Sequence, residues 1–457
     1  MAGIGFSLRK ILNHESIART FAAYSVAGII GGGPWLASII SILILAILVA
    51  FIPADRLAIT QFQVIITYLI AGSLIFSGSA GNSFSRYCSD QLFLNKATYL
   101  VSNLNGMMLI VTTVGGLLSF LFVLFFFPQQ DICFRFLLMG SFISLSNIWV
   151  VVTLLTALKD YKIILQAFTG SYALVVILAY LLRNYGLDGF MFGFIVGQVF
   201  LLFILLLAIY KEYPTNSIID FHFLEKGSLF KLLIISGFFF NLAIWIDKFI
   251  FWFNPSTSYP VIGVFRASWV YDIPIFLAYL CLLPGLAVFL LLVETDFSNY
   301  YNRFNESIRN GKSLAYIKIA GDQMISYAFN VISSIVKIQA LTVILVFLFG
   351  ERILQLLHIS ILYYNLLYVA VIGTSLQVVL LAINDILYYM DRRRDVFVLS
   401  LLYFILNVIF TPISIYLGPF YYGFGFTFAL AIVCILGMYF LTEEFKELEY
   451  KVIMLRG

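Results

Sequence analysis

Apolar stretches of about twenty residues, without the alternation of a half-buried strand, recur along the whole chain and restrict its possible folds more than any other feature. Lipid offers no hydrogen bonds to a peptide group, so a crossing segment must satisfy its own backbone as a helix or join a closed barrel. Unalternating runs of this length select helices. Composition agrees: 62% of the 457 residues are hydrophobic and 11% are charged, against roughly a quarter charged in a soluble domain. A water-soluble fold is excluded.

Charge, Pro and Asn breaks divide the runs into spans 21–51, 62–81, 98–127, 132–156, 163–182 and 187–210. After a polar stretch from Lys211 to Lys231 come 232–253, 261–293, 331–349, 359–384, 396–416 and 420–441. The expectation is an all-α polytopic membrane protein of twelve transmembrane helices. It comprises an N-terminal six-helix lobe (1–210), a cytoplasmic connector (211–231) and a C-terminal six-helix lobe with a cytoplasmic tail (232–457). An even number of crossings per half gives both halves the same orientation, as in a parallel repeat about an axis along the membrane normal.

Sidedness follows from Lys and Arg, which are retained on the cytoplasmic side. Twenty of the 27 fall on the side of the termini, while only Arg56, Arg183 and Arg352 fall opposite. The other four, Arg135, Lys248, Arg266 and Lys337, lie within spans. Both termini are therefore expected in the cytoplasm, with the chain in the cytoplasmic (inner) membrane. The charged first twenty residues and the long run after them argue against a cleaved leader, so the first helix is expected to stay. Span 261–293 is too long for one straight crossing; it starts near Tyr271 or bends at Pro274 and Pro284. Segment 294–330 reads as a solvated linker, an interfacial helix or a docking surface.

Opposite loops of about ten residues or fewer leave room only for intramembrane chemistry. Charges there are costly and turn toward a partner or a cavity. Asp247 and Lys248 sit about 9 Å from the outer end of span seven, with Arg266 at similar depth if span eight begins at Val261. An Asp247–Arg266 pair is then possible, leaving Lys248 to face a cavity or reach Asp272; mutual neutralisation that fixes the packing is the alternative. Arg135 and Lys337 complete the transport-path candidates, with snorkelling from span ends as their other reading. In the first span Gly31, Gly32, Gly33 and Pro34 interrupt the helix, as a hinge or as a close-packing face. Tyr is abundant, and cavity-lining Tyr and Trp would suit sugar rings.

Other motifs point away from enzymatic chemistry. Gly311-Lys312-Ser313 lacks the first glycine of a phosphate loop, since Glu306 stands there. His14, His222 and His358 are isolated, and the four cysteines are scattered. No metal, cofactor or nucleic acid is expected. The sequon at Asn305 falls on the cytoplasmic side.

The opening Met1 to Lys10 (MAGIGFSLRK), Gly28 to Trp35 (GIIGGGPW) and Ser85 to Asp90 (SRYCSD) resemble the Pel exopolysaccharide transporter family. Ile244 to Lys248 (IWIDK), Tyr271 to Ile275 (YDIPI) and Asp385 to Arg394 (DILYYMDRRR) extend the resemblance past position 390. It implies a member of the multidrug, oligosaccharidyl-lipid and polysaccharide flippase superfamily, with two lobes around a central cavity. It further implies export of a growing polysaccharide rich in N-acetylgalactosamine, together with a cytosolic glycosyltransferase and other membrane components of the Pel machinery. The alternatives are an ion-coupled drug or small-solute antiporter and a membrane scaffold for a polysaccharide synthase. The short outer loops disfavour a membrane glycosyltransferase.

Overall fold

The computed structural model describes residues 44, 56–155, 161–225, 229–357, 359–360 and 363–454. Span 21–51, apart from Ile44, and with it the Gly31–Pro34 candidates, lies outside the described residues. Among those described, ten helices are long and apolar enough to cross a bilayer, and Gln166–Leu181 is a shorter apolar one.

The first half contributes α1 (Arg56–Phe93), α2 (Thr98–Phe126), α3 (Ile132–Leu155), α4 (Tyr161–Leu181) and α5 (Gly186–Glu212). The connector after α5 is tied to α2. Asp220 N donates to Ser102 O at 3.0 Å, Asn105 Nδ2 donates to Ile218 O at 2.8 Å, and Phe223 is buried against Phe84 and Tyr87. The second half begins with α6 (Lys231–Phe253) and a two-stranded antiparallel hairpin, β1 (Tyr259–Ile262) and β2 (Phe265–Ala267). There follow α7 (Asp272–Leu280), α8 (Leu283–Leu291), a wider π-type turn over Leu292–Phe297, and α9 (Ser298–Arg309). The chain closes with α10 (Leu314–Leu356), α11 (Tyr364–Tyr389), α12 (Arg393–Leu417) and α13 (Phe424–Met454).

The start near Tyr271 holds for the eighth span, which begins at Asp272, and residues 259–267 form the hairpin, a small β element in an otherwise helical fold. Two expectations change. The bend comes at Pro284 alone. Pro274 sits in the first turn of α7, where no helical N–H is lost, whereas Pro284 opens α8 and has no N–H to continue the ladder from α7. Gln339 Nε2 reaches the Leu282 carbonyl at this break, at 3.2 Å. Finally, 294–330 is helical on both sides of a single turn. It is the antiparallel continuation of two membrane helices, α9 and the first half of α10, around the turn at Asn310–Lys312. Hydropathy ends where charge begins, but the helical backbone does not.

Buried apolar side chains form two clusters, one from α1 to α5 and one from α6 to α13. Between helices in lipid, close packing and hydrogen bonds supply the cohesion, because lipid is as apolar as the side chains. Four second-half helix residues, Trp245, Trp252, Ala287 and Leu291, and two hairpin residues, Ile262 and Phe265, belong to the first cluster.

Candidate functional site

The two clusters meet along α1 and α6, which run antiparallel side by side. Their closest approach is at Gly78 and Gly237. A Cβ on Gly237 would drive into the Gly78 carbonyl oxygen, and one on Gly78 into Asn241 and the Gly237 carbonyl. Two glycines at one crossing let the backbones touch.

One end of this seam is closed by the hairpin. Phe265 stacks on Tyr68 at 4.3 Å between ring centroids and lies against Phe127 at 5.0 Å and Phe122 at 6.0 Å. Tyr68 also exchanges hydrogen bonds with the Arg266 backbone, donating to its carbonyl at 3.0 Å and accepting from its N–H at 3.3 Å. The turn needs Gly263, whose φ of +54° is left-handed and whose missing Cβ leaves room for the Phe127 ring. Thus a strand of the second half is inserted among aromatic side chains of the first.

The opposite end is stitched by polar contacts. Tyr388 hydroxyl lies 3.2 Å from Asn82 Nδ2 and 3.3 Å from Ser236 Oγ, and Phe230 N donates to Ser83 Oγ at 3.3 Å. Beyond them Arg86 pairs with Asp90 at 3.2 Å, and Arg393 pairs with Asp391 while its guanidinium lies 4.2 Å from the Phe230 ring centroid. Arg309 sits over Phe93, at 5.4 Å.

Asp247 and Lys248 lie inside the second half and are bonded to each other. Lys248 Nζ donates to both Asp247 oxygens at 3.1 Å, to the Ile244 carbonyl at 2.8 Å and to Tyr279 hydroxyl at 3.3 Å. Tyr271 hydroxyl donates to Asp247 Oδ2 at 2.6 Å, and Tyr279 hydroxyl to Gln377 Oε1 at 3.0 Å. The Lys248 ammonium also lies 5.5 Å from the centroid of the Phe426 ring. Both residues are buried, at 0% and 6% exposure, so Lys248 lines no open space in this conformation. An ion pair with every other bond satisfied ties α6 to α7, α11 and α13.

The Asp247–Arg266 pair does not form, because Arg266 is on β2 rather than on a helix. Its Nε donates to Trp252 O at 3.1 Å and to Ser258 Oγ at 3.0 Å, bracing the hairpin against the end of α6. Asp272 accepts from Trp252 Nε1 at 2.7 Å and from Ser268 N at 2.8 Å, fixing the other side of the hairpin. Arg135 lies in the first turn of α3 and donates to the Pro128 carbonyl, an end-of-helix role. Lys337 is exposed on α10, where the outward face changes character. Asp322, Ser326, Asn330 and Ser333 precede it on that face, and Leu341, Ile344 and Leu348 follow it. It marks the apolar boundary. The sequence reading missed Phe265, Gly263, Tyr68, Tyr388 and the two seam glycines; Gly263 inside an apolar run was the one available signal.

A family model described as "PelG: Putative exopolysaccharide Exporter (EPS-E)" matches residues 1–453. No curated protein matches the chain. Among solved structures, the chain resembles the outward-facing conformation of a multidrug resistance MATE family transporter of the MOP superfamily, at 15% identity. The TM-score is 0.61, covering 94% of this chain and 96% of that one. A Vibrio cholerae MATE transporter, VcmN, in a single-residue variant, aligns at 12% identity and TM-score 0.63, covering 97% and 98%. A MOP superfamily transporter from Pyrococcus furiosus aligns at 13% and 0.61, covering 93% and 96%. At such identities the shared property is the fold.

Proposed function

The chain belongs to the PelG family of exopolysaccharide exporters, multi-pass membrane transporters rather than enzymes, and from that membership we propose how it moves its cargo. Two six-helix lobes, the first including span 21–51, rock about the α1–α6 seam and pass a growing polysaccharide rich in N-acetylgalactosamine out of the cytoplasm. Both termini are cytoplasmic, which the Lys and Arg distribution supports, and the membrane is the cytoplasmic (inner) one. This orientation puts the hairpin outside and the polar stitches inside. The hairpin is then the exit gate, and its insertion between Tyr68, Phe122 and Phe127 is the observation that carries this reading.

Each candidate residue takes a part in that motion. Gly31 to Pro34 supply a hinge in the first span. Asp247 and Lys248 hold the helices of the second lobe together as one body, with Tyr271 and Tyr279 as their partners. Arg266 and Asp272 keep the hairpin rigid enough to act as a gate, while Arg135 and Lys337 anchor helices at the two membrane faces. A cytosolic glycosyltransferase delivers the polymer.

The test joins Phe122→Cys and Phe265→Cys with a short bifunctional thiol reagent, in a background where Cys88, Cys133, Cys281 and Cys434 are replaced. Proteoliposomes holding this protein alone should pass N-acetylgalactosamine oligomers before cross-linking and not after, with passage restored by a cleavable linker. Undiminished passage through the cross-linked protein would reject the gate. Passage of cationic drugs in place of oligosaccharide would support an antiporter.

A further inference from the structure

Beyond the Lys337 boundary, α9 and the first half of α10 project as a helical hairpin, with Lys337 roughly 35 Å from the start of α10 at 1.5 Å per residue. It is a built element. Ser313 caps α10 by accepting from Tyr316 N, Gly311 takes the left-handed turn position at φ +58°, and Phe304 packs on Gly321. One side holds a groove of about 740 Å³. Asp322, Ser326, Asn330 and Ser333 form one wall at helical spacing, and Tyr300 stacks on Tyr327 at 4.8 Å and 28°. Tyr327 hydroxyl is held by Asp296 Oδ2 at 2.8 Å, which fixes the stacked pair.

The chemistry of this groove is selective. Its short hydroxyl, amide and carboxylate groups are carried on a rigid helix and bond well to hydroxyl and acetamide groups, while an aromatic face takes the apolar side of a sugar ring. No Lys or Arg is among the lining residues, although the Arg303 guanidinium lies 6.0 Å from the centroid of the Tyr300 ring, and the one charge on the wall, Asp322, disfavours a phosphate. The wall from Asp322 to Ser333 is roughly 16 Å long at 1.5 Å per residue, the length of about three pyranose rings.

We propose that this groove is an intake site, binding about three consecutive N-acetylhexosamine residues of the polymer before they enter the membrane. It rests on the exporter reading for the direction of travel and for the polymer itself.

The experiment titrates a linear N-acetylgalactosamine trisaccharide into the full chain in lipid nanodiscs, with maltotriose as control. Wild type should bind the trisaccharide in preference to maltotriose. Tyr300→Ala and, separately, Asn330→Leu should each weaken binding at least about tenfold, the scale of one lost ring contact or hydrogen bond. Leu417→Ala, exposed at the far end of α12 and outside both the groove and the gate, should leave it unchanged. Absence of wild-type binding, equal binding of maltotriose, or undiminished binding by both groove variants would overturn the proposal. So would capture of a cytosolic polypeptide by a photo-crosslinker at Ser326 that excess trisaccharide does not displace, since the groove would then be a protein-docking surface. If the trisaccharide binds as expected yet proteoliposomes pass no oligosaccharide, the rocking mechanism fails and the groove stands. If they pass it without groove binding, only the groove fails.

Discussion

The two ends of the α1–α6 seam are held by different chemistry. At the hairpin end Phe265 is buried among Tyr68, Phe122 and Phe127, backed by hydrogen bonds through the strand backbone. At the other end the bridges are side-chain hydrogen bonds around Tyr388, flanked by partly exposed charges that pair within their own halves, Arg86 with Asp90 and Arg393 with Asp391. Water replaces a polar contact at little net cost, about 1 kcal/mol per hydrogen bond and less for an exposed ion pair. It cannot replace an aromatic stack. On the proposed rocking motion the polar end would open to solvent more readily, whereas the aromatic end would need something with an apolar face to take the place of Phe265.

Four substitutions would break or sharpen this contrast. The largest effect should come from Lys248→Met, which leaves Asp247 buried without its cation and costs about 3–5 kcal/mol, because both ends of the seam depend on α6. Thermal unfolding in detergent should show the loss, and adding Asp247→Asn should recover most of it. Phe265→Ala should come next, at about 3 kcal/mol, and should let a thiol reagent applied from the hairpin side label Phe122→Cys at least several-fold faster. Tyr388→Phe removes the hydrogen bonds to Asn82 and Ser236 and should cost about 1 kcal/mol, with no change in labelling at the hairpin end. Asp90→Asn should be the mildest, below about 1 kcal/mol, with a difference from wild type that shrinks as salt rises. If Tyr388→Phe proved as damaging as Phe265→Ala, the two ends would not differ as described.

The membrane made much of this fold legible. A bilayer forces an apolar run to be a helix, so the existence and order of the described crossings could be read directly. Boundaries could not, because α1 continues to Phe93 and α10 begins at Leu314, well past the apolar portion of each. The stretch from Tyr259 to Ala267 was hidden for another reason. Its Val, Ile and Phe extend an apolar run, and strands of three or four residues are too short for alternation to stand out. A span starting at Val261 puts Arg266 on a helix within reach of Asp247, whereas the observed start at Asp272 removes that pair. Asp247, Lys248 and Asp272 stood out as costly charges needing company, but Tyr271 and Tyr279, which supply much of that company, carry no charge to draw attention.

Asp247 and Lys248 are consecutive residues of one helix, and this has an electrical consequence. However α6 tilts, the two opposite charges travel together, so their displacement carries almost no net charge across the bilayer. A transmembrane potential of 100 mV does work of about 2.3 kcal/mol on a lone charge crossing it, and close to none on such a pair. As far as these two buried charges are concerned, the movement of α6 is blind to the voltage of the cell.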